Sequence, residues 1–90
     1  MSGAHFVYIV RCADGTLYTG YAREIGARVK AHNAGRGAKY TAGRRPVRPV
    51  YSERFRSLGK ALRREHQIKR LSRRQKQSLV AGRRNRERAL

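Results

Sequence analysis

Acidic residues are scarce in this 90-residue chain: five Asp and Glu stand against 23 Lys and Arg, for a formal charge of +18 at pH 7. An imbalance of that size repels itself unless polyanions offset it. It makes nucleic acid, DNA above all, the first partner to consider. Anionic membrane is the rival polyanion, but no segment joins a long apolar face to a basic one as a surface-lying helix does. Cysteine is nearly missing as well. Cys12 alone cannot form an intrachain disulfide, and with only three scattered His no zinc spacing can be drawn. A reducing interior fits such a chain. No apolar run is long enough to cross a bilayer, and the first five residues carry no signal-peptide pattern, so a cytoplasmic location is expected. At 90 residues the chain should form one domain with a small core, leaving little room for a large substrate cavity.

What is present is readable as alternating elements. Residues 5–12 are aromatic and β-branched, Ala13-Asp14-Gly15 supplies turn chemistry, and residues 16–20 resume the strand pattern, which predicts a β-hairpin. Ile25 and Val29 recur at helical spacing over residues 24–32, and Asn33-Ala34-Gly35 invites a left-handed cap. Residues 35–46 read as a Gly-rich basic loop. A third strand is expected over residues 47–55, with Pro46 and Pro49 favouring a sheet edge. Ser57 is placed to cap a helix bearing Leu58, Ala61, Leu62, Ile68 and Leu71, and Ser72 with Gln75 reads as a capping box for a last helix ending near Gly82. Residues 83–90 are nearly all basic and are expected to form a mobile tail. The fold class is thus α+β, a three-stranded antiparallel sheet with helices in the order β-β-α-β-α-α, over residues 1–82.

Three features point to chemistry. A two-residue hairpin loop would send Tyr8 and Tyr18 to opposite sides of the sheet. A three-residue Ala13-Asp14-Gly15 loop would pair Val10 with Tyr18 and set both phenols on one face as diagonal neighbours. The second register is the expected one, although ordinary strand aromatics would also satisfy the pattern. Glu65 follows Leu58 and Leu62 along one helical stripe where an apolar residue is due, and burying a charge there is costly unless a cation or metal meets it. An edge Glu paired with an arginine explains the same position equally well. Arg28 and His32 stand one helical turn apart, either as a solvated pair at a helix end or as a phosphate clamp and a partner for a phenol.

The ordered set of Tyr8, Tyr18-x-Gly20, Arg28 with His32, Ala38-Lys39-Tyr40-Thr41 and Glu65 resembles the GIY-YIG nuclease superfamily, above all its small stand-alone bacterial members of the YhbQ type. Here Phe6-Val7-Tyr8 replaces Gly-Ile-Tyr, and Tyr18-Thr19-Gly20 replaces Tyr-Ile-Gly. The resemblance runs from Phe6 to Leu79. It implies a metal-dependent endonuclease in which Tyr18 activates or orients water, Tyr8 positions it, Arg28 holds the scissile phosphate, and Glu65 binds one Mg²⁺ or Mn²⁺. His32 and Tyr40 assist through hydrogen bonds. The family's further Asn after the metal-binding Glu has no counterpart except Asn85 in the basic tail, so that part of the site is missing or replaced.

The expected phosphate-tracking surface comprises Lys39, Arg44, Arg45 and Arg48 in and after the Gly-rich loop, extended by Arg64, Lys69 and Arg73 on the later helices. Tyr40 is expected to stack on an unpaired base. The implied substrates are branched or single-stranded DNA in repair or recombination. One alternative is a nucleic-acid-binding module without catalysis, and another is an accessory protein that meets a protein partner through its tail.

Overall fold

A computed structural model of the chain describes the backbone of residues 3–89 and the side chains of residues 3–82. Strands β1 (His5–Arg11) and β2 (Leu17–Ala22) form the expected hairpin. Its loop has three residues: the Cys12 amide donates to Thr16 O and the Gly15 amide returns to Cys12 O. Gly15 adopts φ +87°, the left-handed conformation that closes such a loop and that glycine reaches without strain. The register follows, with Val10 opposite Tyr18 and Tyr8 opposite Gly20. Tyr8 and Tyr18 therefore share a face.

Helix α1 (Ile25–Asn33) follows, with the Glu24 carboxylate accepting from the Ala27 amide at 2.6 Å as its N-cap. Gly35, at φ +84°, turns the chain out of the helix. The basic loop is more ordered than its composition predicts, because a four-residue helix α2 (Lys39–Ala42) interrupts it. One turn is too short to leave a periodic signal in sequence. Asn33 then clasps the start of the third strand, donating to Val47 O at 3.0 Å and accepting from the Val47 amide at 2.7 Å.

Strand β3 (Arg48–Phe55) lies on the far side of β1, giving the antiparallel order β2-β1-β3. It occupies an edge, and the pairing slips between Ile9 and Val10, where Pro49 has no amide hydrogen to offer. Helices α3 (Leu58–Lys69) and α4 (Arg73–Ala89) complete the fold. Ser57 caps α3 through the Lys60 amide. Ser72 and Gln75 form the expected reciprocal box, at 3.1 and 2.9 Å. Helix α4 runs on to Ala89 instead of ending near Gly82, and the side chains of the expected tail, residues 83–90, lie outside the described residues.

Because β1 is central and covered on both sides, its period-2 alternation feeds two cores. Val7 and Ile9 pack with Tyr51, Ala61, Ile68 and Val80 on one face, while Tyr8, Val10 and Cys12 pack with Ala22, Val47 and the inner side of α1 on the other. One expectation needs correcting. The inward line of α3 is Ala61, Glu65 and Ile68, whereas Leu58 and Leu62 are 46% and 43% exposed. A small Ala lets the helix approach the sheet closely, and that approach rotates the two leucines outward. Among the described residues no helix is long and apolar enough to cross a membrane.

Candidate active site

Tyr8 is the buried centre of the site. Its ring lies across Gly20, where an added Cβ would stand only 2.6 Å from Tyr8 Cζ, so the Tyr-x-Gly spacing keeps a bare backbone under the phenol. The Tyr8 hydroxyl meets His32 Nε2 at 2.8 Å, and His32 Nδ1 meets Thr41 Oγ1 at 2.8 Å. Thr41 gives its one hydroxyl proton to Ala38 O at 3.1 Å, so it accepts from His32 Nδ1–H. Nε2 is then the acceptor, and the Tyr8 O–H donates to it. Gly37 lies against the other side of the imidazole, where an added Cβ would fall 2.5 Å from Cγ. His32 and Thr41 are both fully buried.

Electrostatics follow from that burial. Desolvation first, then the neighbouring Tyr18 phenol and the Glu65 carboxylate, push the Tyr8 phenol well above its ordinary value, and Arg28 opposes them. Burial and then the Arg28 charge hold the His32 imidazole below its usual value, so it is neutral at pH 7. Tyr8 therefore keeps its proton at pH 7 and holds the hydrogen bond to His32.

Tyr18 packs edge-on against His32, with centroids 5.4 Å apart, and stacks on Tyr40 at 5.8 Å and 22°. Arg44 lies over the Tyr40 ring at 4.0 Å from its centroid and is anchored by Asp14 at 3.1 Å. The Asp14 carboxyl is held below the usual carboxylate range by its hydrogen bonds from Thr16 and by Arg44. Tyr40 is thus engaged by Tyr18 and Arg44 while remaining 39% exposed. Its ring braces Tyr18.

Glu65 carries a side chain only 18% exposed and pairs with Lys69 at 3.1 Å. Among the described residues no three His, Cys, Asp or Glu gather as a metal-binding group. A single hard carboxylate oxygen still suits Mg²⁺ or Mn²⁺, which keep several waters and accept phosphate oxygens as ligands.

The expected cationic surface divides. Lys39 and Arg48 are exposed, on α2 and at the start of β3. Arg45 bonds Ala42 O and Asn33 O, and Arg73 reaches Gly15 O at 3.2 Å. Arg64 lies on the opposite face of the sheet from Tyr8, gripping Glu53 through two bonds of 2.9 and 3.0 Å, so its fork is committed to the fold. Sequence reasoning gave no role to Thr41, Gly37, Asp14 or the Gly20 cradle. Thr41 and Gly20 stood inside quoted motifs, while Asp14 was read only as a turn residue.

A family model described as the GIY-YIG catalytic domain matches residues 4–78, and the chain belongs to that family. Its relatives include a UPF0213 protein of Staphylococcus aureus, strain Mu3, 54% identical over 77 residues that cover 86% of this chain and 94% of the relative. Two solution NMR structures are similar. The UPF0213 protein BH0048 of Bacillus halodurans has a TM-score of 0.57 and 49% identity, covering 87% of this chain and 83% of that one. Protein EF2693 of E. faecalis has a TM-score of 0.60 and 40% identity, covering 88% and 84%.

Proposed function

We propose that this chain is a metal-dependent endonuclease that hydrolyses phosphodiester bonds in DNA, with branched or single-stranded structures as its substrates. The observation that carries the reading is the buried Tyr8–His32 hydrogen bond with the Tyr18 ring packed against the same imidazole, in a site whose electrostatics also feel Arg28 and Glu65. Tyr8 holds its proton, so Tyr18 is the phenol that accepts or orients the proton of the attacking water. His32, fixed as the Nδ1–H tautomer by Thr41, keeps the Tyr8 hydroxyl directed inward. Tyr40, pressed by Arg44, limits the swing of the Tyr18 ring. Arg28 offers a planar fork of donors to the phosphoryl oxygens. Glu65 would hold a divalent ion, which polarises the phosphate and stabilises the leaving oxygen when bound. With one carboxylate, metal affinity depends on the nucleic acid itself.

The wider surface binds by charge. Contacts to roughly five phosphates would make log K fall with log salt at a slope of about −4.5 on duplex DNA. A cytoplasmic site of action fits a chain of this kind. The test is a cleavage panel of linear, flap, splayed and four-way DNA with Mg²⁺, Mn²⁺ or chelator. Cleavage of at least one branched or single-stranded member, lost in chelator and in Arg28→Ala while binding survives, supports the reading.

A second reading has its own support, because Lys69 pairs with Glu65 and no three His, Cys, Asp or Glu gather as a metal-binding group among the described residues. A binding module without catalysis would keep its function in Arg28→Ala and lose affinity on Lys39→Gln with Arg48→Gln.

A further inference from the structure

We infer that the turn end of the sheet carries a second contact for the substrate: a hollow that seats one nucleotide unit, with its phosphate on Arg11 and Arg48. The inference rests on the nuclease reading and adds a subsite to it. The hollow has a volume of about 330 Å³ and is lined by Arg11, Cys12, Ala13, Pro46, Val47 and Arg48 together with Gly15. That volume lies at the small end of the range for small-molecule sites.

Its chemistry is two-sided. Cys12, Ala13, Pro46 and Val47 give an apolar lining for a base or sugar, and two guanidinium groups give donors for an anion. No carboxylate lines it. Asp14, the nearest acid in sequence, is committed to Thr16 and Arg44. Arg11 Nε is buried and has no hydrogen-bond partner among the described residues. A buried donor of that kind is normally paired, and a phosphate oxygen would pair it.

The hollow is also within reach of the catalytic tyrosines. Cys12 and Val47 belong to the same buried cluster as Tyr8, so the lining is rigidly joined to the site. Cys12 lies four residues beyond Tyr8 along β1, about 13 Å at the strand rise. One strand of a duplex advances that far in about four phosphates. Arg11 alternates with Cys12 and pairs with Arg48, so both arginines leave the sheet on the Ile9 face. A strand that rounds the turn end of the hairpin would occupy both positions, and the hollow would fix where along it the cut falls.

The full chain in chelator is titrated with deoxyadenosine 5′-monophosphate, deoxyadenosine or inorganic phosphate at constant ionic strength. NMR follows the Arg11 Nε–H resonance, and iodoacetamide alkylation follows Cys12, the chain's only thiol. The nucleotide is expected to move the Arg11 signal and slow alkylation at least threefold, whereas deoxyadenosine and phosphate do less. Arg48→Gln, at an exposed position that should not disturb folding, and Arg11→Gln should each abolish the response, while Tyr18→Phe and Glu65→Ala retain it. In cleavage assays the same arginine variants should lose efficiency through KM rather than kcat. An Arg11 signal unmoved by the nucleotide overturns the inference, as does a response to phosphate alone of equal size, which marks an anion site only. Absence of cleavage on every substrate would defeat the nuclease reading and leave the titration to decide the hollow.

Discussion

Each face of the sheet buries a tyrosine whose hydroxyl enters a polar network, and the two networks end differently. On one face Tyr51 bonds Glu53, and Glu53 is gripped by both arms of Arg64, which also reaches Gln67. Every strong donor and acceptor there meets another, and burial together with Glu53 pushes the Tyr51 phenol up. On the other face the chain from Thr41 through His32 stops at Tyr8, whose phenol also feels Tyr18, Arg28 and Glu65. A closed network holds a fold together; an open one can receive a substrate. On the proposed function, the same residue type thus has a structural role on one face and a chemical role on the other.

Removing single hydroxyls should break this comparison most sharply. Tyr18→Phe is expected to lower the cleavage rate about 10²- to 10⁴-fold, the usual span for a positioned acid–base group, and to change stability by less than about 0.5 kcal/mol. Tyr51→Phe should do the reverse, costing about 1 kcal/mol in denaturant unfolding with the rate per folded molecule intact. Equal losses of rate in both variants would erase the distinction between the faces.

Glu53→Ala is expected to cost about 1–3 kcal/mol, because Arg64 and Tyr51 lose a shared acceptor. In a domain of this size each kcal/mol lowers the melting temperature by about 4–8 °C. Gly20→Ala tests the open face in the same units. Its methyl group meets the Tyr8 ring, and overpacking of that kind costs about 1–3 kcal/mol, whereas Gly43→Ala, with nothing within 4 Å of the added carbon, should be silent. Calorimetry on the four chains separates these outcomes.

The smallest effect expected is a pH dependence. His32 titrates lower when folded than when unfolded, so between the two values the unfolded chain binds the extra proton. Stability from this group is complete above about pH 6.5, the unfolded value, and is lost as pH falls towards the folded one. Melting temperatures between pH 7.5 and 5 should therefore decline more steeply in the wild-type chain than in His32→Gln. Parallel curves would show that the imidazole is not held neutral by its surroundings.

Much of this arrangement was legible in the residues because local rules carried it. Loop chemistry at Ala13-Asp14-Gly15 set the hairpin register, and the register alone decides that Tyr8 and Tyr18 share a face. Caps at Ser57 and Ser72 likewise mark where α3 and α4 begin. What stayed hidden depends on tertiary approach. Leu58 and Leu62 look like core residues until Ala61 is seen to admit the sheet. Arg64 looks like a phosphate contact until Glu53, eleven positions earlier, meets it on the far face. Tyr40 looks like a free stacking surface until Arg44 and Tyr18 are seen to engage its ring. In a chain so rich in arginine, charge alone cannot tell which guanidinium groups are spent inside the fold. Only their partners can.

The central claim is that the open face performs metal-assisted hydrolysis, and single-turnover cleavage of a flap or splayed DNA by Glu65→Ala beside wild type tests it most directly. The account predicts Mg²⁺- or Mn²⁺-dependent cleavage by the wild type and a loss of at least about 100-fold in the variant, with DNA affinity retained. Equal cleavage by the two proteins, or tight binding with no cleavage by either in any metal, would contradict it.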